Sequence, residues 1–239
     1  MNKYKLWLSG FKDGFPIFLG YLAVSFTLGI AAKSAGLNWA QAVLMSATNF
    51  TSAGEFAALE IIASSSGYIE MAFTQLIINL RYCLMSSALS QKLSPKTSLL
   101  HRMIIAFGNT DEIFAVSSSK KGYISPAYSY GLMILPLLGW TLGTLLGVVS
   151  GSLLPKNILS ALGVALYGMF IAIIVPPARE KKVIAIIVII SMILSTLFTF
   201  APLLKIIPSG FRIIILTVII AGAAAYFFPL EETGDKNEG

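Results

Sequence analysis

The stretch "SATNFTSAGEFAALEII", residues 46–62, lies inside an apolar run long enough to cross a bilayer, yet Asn49, Thr51, Ser52, Gly54 and Glu55 occupy its centre. A soluble helix would accept these residues without comment. In a membrane span they are costly, so the surrounding composition decides how the stretch is read. Of 239 residues, 56% are hydrophobic and only 12% are charged, with a mean hydropathy of +0.81. A soluble domain cannot expose that much apolar surface without aggregating, so the chain reads as an all-α integral membrane protein.

Hydropathy divides the chain into eight apolar segments, at about 15–32, 39–63, 68–90, 99–119, 126–150, 156–178, 183–202 and 211–229. The connections are short, so residues 1–239 are expected to form a single transmembrane domain. The net charge of +6 comes from basic residues scattered in pairs at segment ends. That distribution suits membrane topology and not a nucleic-acid footprint. The lone cysteine, Cys83, leaves no internal disulfide or thiol metal cluster and is expected to pack as a small hydrophobe. "MNKYKLWLSGFKDGF" lacks a clean apolar core followed by a small-residue cleavage site, so the first span is expected to stay in the protein.

Two more segments carry polar centres. The third holds Gln75, Asn79 and Arg81, and the fourth holds Gly108, Asn109, Thr110, Asp111 and Glu112. An ionisable group at mid-membrane costs about 2.5–3.5 kcal/mol on the lenient insertion scales, so such groups must face a cavity or each other. A functional site is therefore expected among segments two, three and four. The last four segments, whose polar residues inside the apolar runs are confined to Ser, Thr, Gly and Pro, read as scaffold.

The placement of positive charge selects a topology. With Lys3, Lys5 and Lys12 cytoplasmic and every segment spanning, Lys92, Lys96 and Arg102 fall outside, against the positive-inside rule. If segments 39–63 and 99–119 are interrupted and re-entrant, that cluster moves inside and joins Lys120, Lys121, Arg179, Lys181 and Lys182. Six full transmembrane helices plus two interrupted segments result, with a cytoplasmic N-terminus. The breaks then approach each other near the midplane, as in transporters built on inverted repeats. "NFTSAGEFAAL" and "GNTDEIFAVS" echo each other faintly, consistent with such a repeat. Gly, Asn, Thr and Ser at 49–54 are residues a break would use. Half-helix N-termini suit a carboxylate, while Glu55, Asp111 or Glu112 suit an ammonium group; together they describe a zwitterionic amino acid.

The patches "GFKDGFPIFLGYLAVSFTLGIAAKSAGLNWAQAVLMS", "SAGEFAAL", "NLRYCLMSSALS" and "NTDEIFAV" resemble the AzlC family, the large subunit of two-component bacterial branched-chain amino acid exporters. The resemblance implies a multi-pass protein of the bacterial cytoplasmic membrane. It implies proton-driven export of leucine, isoleucine, valine and related apolar amino acids including methionine, beside a small AzlD-type membrane subunit. No cofactor is implied. The family pattern usually carries Gln at the position of Glu55; a carboxylate there would shift specificity toward a more cationic solute or add a proton site.

The candidate substrate-binding or proton-coupling residues are Asn49, Ser52, Gly54, Glu55, Asn79, Arg81, Thr110, Asp111 and Glu112. Arg81 either binds the substrate carboxylate or pairs with Asp111 or Glu112. Adjacent Asp111 and Glu112 cannot both face one cavity from a regular helix, so one is expected in the site and the other at a half-helix N-terminus, with Thr110 or Asn109 as competing caps. Asn49 and Asn79 suit substrate contact or interhelical hydrogen bonds equally. Glu55 has no neutralising neighbour in sequence. Glu60, Glu70 and Asp13 lie near segment ends and are expected to be solvated, and His101 to be interfacial. An intramembrane enzyme is disfavoured, because there is no His-Glu-x-x-His zinc site, no Asp-rich magnesium cluster and no second histidine. A channel or a non-transporting structural subunit is the alternative.

Overall fold

The computed structural model describes residues 2–151, 171, 174–175, 178–201, 207 and 209–228. Among them every regular element is a helix. Two compact units are distinguished, Met1–Met169 and Phe170–Gly239.

In the first unit, α1 is Lys3–Ser34, α2 Trp39–Asn49, α3 Ala53–Ala63, α4 Tyr68–Gln91, α5 Leu99–Phe107, α6 Asp111–Ser119 and α7 Pro126–Ser150. The two segments with polar centres, 39–63 and 99–119, are thus each broken into two half-helices. α1 starts earlier than its apolar run at residue 15, because Asn2 caps it by accepting from the Tyr4 amide at 3.2 Å. In the second unit, α8 (Lys182–Phe200) and α9 (Ser209–Phe227) pack side by side along an apolar groove. α8 buries none of its residues, as expected for a helix whose solvent is lipid. The segment expected at 156–178 lies almost wholly outside the described residues.

α1 and α7 form the most extensive helix pair. Their contact runs through glycine: a Cβ at Gly147 would lie 2.0 Å from the Phe26 carbonyl oxygen, and one at Gly10 2.1 Å from that of Tyr128. Only helices without side chains at these positions can bring their backbones together, the small-residue packing favoured in lipid. Gly131, Gly139, Gly143 and Gly147 repeat at spacings of four or eight and hold one face of α7. Ser25 adds a hydroxyl bond to the Gly139 carbonyl at 3.2 Å.

The register shows that the pair is parallel. Gly10 lies against Tyr128 and Leu132, and Gly29 against Thr144 and Val148, so both helices advance the same way. Between them the chain must make an odd number of passes: α4 alone, or α4 with both broken segments crossing. The contacts select α4 alone. α2 leaves the C-terminal end of α1, where the Leu37 amide bonds the Ala32 carbonyl, and passes Thr144 through a 2.8 Å Ser46 contact. It ends at Phe50, against Tyr21 and Trp140. α3 then turns back alongside α4, with Gly54 next to Gln75 and Asn79. α4 itself runs to the other end, where the Ile124 amide bonds the Lys92 carbonyl.

The second broken segment mirrors this. α5 starts near the beginning of α7, with His101 bonded to the Tyr130 hydroxyl, and ends with Phe107 stacked on Phe50 at 6.5 Å. α6 starts beside Tyr21 and Arg81 and returns to Lys120, which pairs with Asp13 at 2.9 Å. Two hairpins therefore point at each other from opposite ends of the α1/α7 frame, and their tips meet at the Phe50–Phe107 contact.

Three expectations are corrected. Asp13 is held by Lys120 and by the Tyr128 hydroxyl at 2.7 Å instead of being merely solvated. Cys83 is exposed on α4 and not packed inside. Glu70 is buried at 5% exposure in the first turn of α4, whereas Glu60 is exposed as expected.

A glycine-mediated frame predicts opposite signs for one substitution at two places on it. Gly147→Ala must push α1 from α7 and should cost about 1–3 kcal/mol. Gly20→Ala, where a Cβ meets nothing within 4 Å, should gain about 0.5–1 kcal/mol from helix propensity. Thermal unfolding of both variants in detergent would check the pair.

Candidate functional site

The first break spans residues 50–52 and is built differently from the sequence expectation. Phe50, not a glycine, takes the left-handed conformation (φ 51°, ψ 39°) at the end of α2, and Ser52 has φ 51°. Left-handed backbone at a residue with a Cβ costs of order 1–3 kcal/mol and persists only where the surroundings hold it. Phe50 is held by its ring: 3% exposed, it meets Tyr21 edge-on at 5.8 Å, Trp140 at 6.5 Å and Phe107. Gly54 lies in the first turn of α3 and serves close approach, since a Cβ there would sit 2.6 Å from Thr51 Oγ1 and 2.9 Å from Gln75 Oε1. Ser52 begins α3 without a side-chain cap.

Side chains of α4 brace the break. The Tyr82 hydroxyl donates to the Thr51 carbonyl at 3.3 Å, and Gln75 donates to the Gly54 carbonyl, in the first turn of α3, at 2.8 Å. Asn79 donates to Gln75 Oε1 at 3.0 Å, which orients that side chain. Asn49 accepts from the Thr51 hydroxyl at 3.2 Å. Within the break the Thr51 carbonyl also accepts from the Gly54 amide and the Ser52 carbonyl from the Phe56 amide, so protein groups satisfy this irregular backbone at these positions.

Glu55 is completely buried. Its Oε1 accepts from the Trp140 indole N–H at 2.9 Å and from the Thr51 amide at 3.1 Å, while Oε2 has no hydrogen-bond partner. No cation pairs with it among the described residues. It occupies the first turn of α3, where the helix dipole favours a negative charge. Asn79 Oδ1 and Asn109 Oδ1 are likewise buried acceptors without a donor.

At the second break, Gly108 ends α5 against Met133, and Thr110 caps α6 by accepting from the Ile113 amide at 3.4 Å. The competition for the cap is settled in favour of Thr110, so neither Asp111 nor Glu112 caps the helix with its side chain. The two carboxylates diverge. Asp111 pairs with Arg81 at 2.9 Å, and Glu112 accepts from the Tyr21 hydroxyl. Arg81 also lies over the Tyr82 ring, 5.2 Å from its centroid. Side-chain exposures of 44% for Arg81 and 32% for Asp111 show that this pair is not sealed inside the first unit.

All nine expected site residues thus lie at the two tips or on the stretch of α4 beside them. Sequence reading missed Phe50, Tyr21 and Trp140, whose apolar rings hide among other spanning residues, and undervalued Gln75. Only Gln75 carried a signal, as an amide four residues before Asn79 on one helix face.

The family profile described as AzlC protein matches residues 16–154, which contain both broken segments and most of the α1/α7 frame. An "Uncharacterized membrane protein" of Archaeoglobus fulgidus is 32% identical over 185 residues, covering 77% of this chain and 81% of that protein. "Inner membrane protein YgaZ" of Escherichia coli is 26% identical over 182 residues, covering 73% and 74%. An "Uncharacterized membrane protein" of Helicobacter pylori is 29% identical over 153 residues, covering 61% and 66%. No solved structure matches the chain. With more than half of its length matched by the profile, and a relative above 30% identity along most of both chains, this membrane protein belongs to the AzlC family.

Proposed function

We infer that the chain is the large subunit of a secondary transporter exporting leucine, isoleucine, valine and related apolar amino acids such as methionine, driven by protons and completed by a small AzlD-type subunit. The observation that carries this reading is the meeting of two broken helices around Glu55, a buried carboxyl without a counter-cation. Such a group receives either a proton or an ammonium, and both are what export of a zwitterion down a proton gradient requires. The unpartnered acceptors Asn79 Oδ1 and Asn109 Oδ1 add two places for an N–H donor beside the tips.

Membership of the AzlC family supports a transport role. The substrate class rests on the chemistry of the tips: hydrogen-bonding groups next to Phe50 and Phe107 suit a small zwitterion with an apolar side chain. The exposed Arg81–Asp111 pair supports a second subunit or an aqueous vestibule beside α4, because an ion pair at mid-depth does not face hydrocarbon.

The charge distribution supports an N-terminus in the cytoplasm. Lys3, Lys12, Lys92, Lys96, Arg102 and Lys120 lie toward the end of the frame where α1 and α7 begin, and Lys33 lies at the other. In this orientation segments 39–63 and 99–119 are re-entrant from outside and inside respectively, related as an inverted repeat, while α1, α4 and α7 span; hydropathy supports six full spans in all and a single transmembrane domain.

Topology is testable in a Cys83→Ser background with an impermeant thiol reagent applied outside intact cells. The re-entrant arrangement predicts labelling at Ser66→Cys and protection at Ser94→Cys. Full spanning of all segments predicts the reverse at both positions.

Function is testable by counterflow of labelled leucine, valine, methionine and lysine in proteoliposomes holding the chain with its small subunit. Saturable exchange of the apolar amino acids is expected, and Glu55→Gln should preserve exchange while losing acceleration by a pH gradient. Lysine exchange in preference to leucine would move the substrate class to cationic solutes. Non-saturating flux would mark a channel, and absence of flux from an intact complex a structural subunit.

A further inference from the structure

At the end of the frame where α1 and α7 begin, the chain leaves a cleft of about 590 Å3 beside the start of α5. It is separate from the helix breaks, and its charged walls are of one sign: Lys3 and Lys96, with His101 and no carboxylate. Three neighbouring basic side chains at this end are already committed. Lys92 donates to the Ser118 and Lys120 carbonyls, Arg102 to the carbonyls of Ser90, Ser94 and Thr97, and Lys120 pairs with Asp13. Lys3 and Lys96 enter no ion pair among the described residues.

The neutral part of the lining points the same way. Ser98 and Ser125 precede α5 and α7, and neither uses its hydroxyl to cap its helix, so both hydroxyls remain available to a ligand oxygen. The start of α5 adds a partial positive charge directed at the cleft. Tyr130 bonds His101 and holds the imidazole at the wall. Two ammonium groups, two hydroxyls and an imidazole around one cleft match an anion that offers several oxygens in a tetrahedral array.

The geometry points to this cleft as a binding site for a phosphate group, carried by an anionic lipid or present as free phosphate. A carboxylate supplies two coplanar oxygens and would leave part of this donor set unused. In the orientation proposed above, the cleft lies at headgroup depth of the inner leaflet, where juxtamembrane lysines meet lipid phosphates. The site does not depend on the transport assignment, and its test contains no transport step.

The full chain in neutral detergent is titrated, at constant ionic strength, with dihexanoyl-phosphatidylglycerol, dihexanoyl-phosphatidylcholine and inorganic phosphate, with binding read by calorimetry. Wild type is compared with Lys3→Gln/Lys96→Gln and with Lys33→Gln at the far end of α1. Expected is saturable binding of phosphatidylglycerol well above phosphatidylcholine, weakened about thirty-fold in the double variant, or about five-fold for each lysine, and unchanged in Lys33→Gln. The single variants replace the double variant where circular dichroism shows that it has not folded. Inorganic phosphate binding as tightly as the lipid would make the free anion the ligand; weaker binding would assign the lipid. Equal binding of both lipids, no saturable binding of either phosphate probe, or affinity untouched by the lysine substitutions would overturn the site.

Discussion

Contact between the backbones of α1 and α7 is the constraint on which the rest of the first unit depends. Glycines at Gly10, Gly29, Gly143 and Gly147 let the two helices approach until little but hydrogen lies between them. Both broken segments are then fastened to this frame. Ser46 and Glu55 of the first bond Thr144 and Trp140 on α7, while Glu112 of the second bonds Tyr21 on α1 and His101 bonds Tyr130 on α7. Neither hairpin has enough helix of its own to fix its depth. A side chain that wedged α1 from α7 would therefore shift the floor under both tips at once.

The tips divide their charges in a manner that keeps each one separate. Asp111 turns to Arg81 on α4, Glu112 to Tyr21 on α1, and Glu55 to an indole N–H on α7. Adjacent carboxylates on α6 thereby avoid facing each other, and the guanidinium is engaged by one of them. Glu55 keeps neutral donors only. A buried carboxyl supported in this way can exchange a proton without breaking an ion pair, whereas Asp111 cannot change its charge without leaving Arg81 uncompensated.

Apolar residues do structural work here that their hydropathy conceals. Phe50 stabilises a left-handed turn by packing its ring among Tyr21, Trp140 and Phe107, so an aromatic cluster takes the place of the glycine that a break ordinarily uses. Gln75 ties α4 to the first turn of α3 through the carbonyl of Gly54 and is itself oriented by Asn79. The polar residues at the breaks advertise that something is interrupted; much of what makes the interruption stable is the ring of Phe50 itself and side chains from elsewhere in the chain, on α1, α4, α5 and α7.

A helical membrane protein, the positions of its apolar segments and the interruptions in segments 39–63 and 99–119 are all legible in the amino-acid sequence. Those properties follow from local composition, because lipid tolerates polar residues only where backbone or side chains find partners nearby. Charge placement also favoured two hairpins over two spans. Which groups meet is settled in three dimensions: Arg81 pairs with Asp111 and not Glu112, Thr110 caps α6, Asp13 and Glu70 are held within the fold, and Trp140 supports Glu55 across 85 positions. The pairings that join α1 or α7 to the hairpins depend on the parallel register of these two helices. That register is set by many small steric contacts distant in sequence, and no single segment carries it.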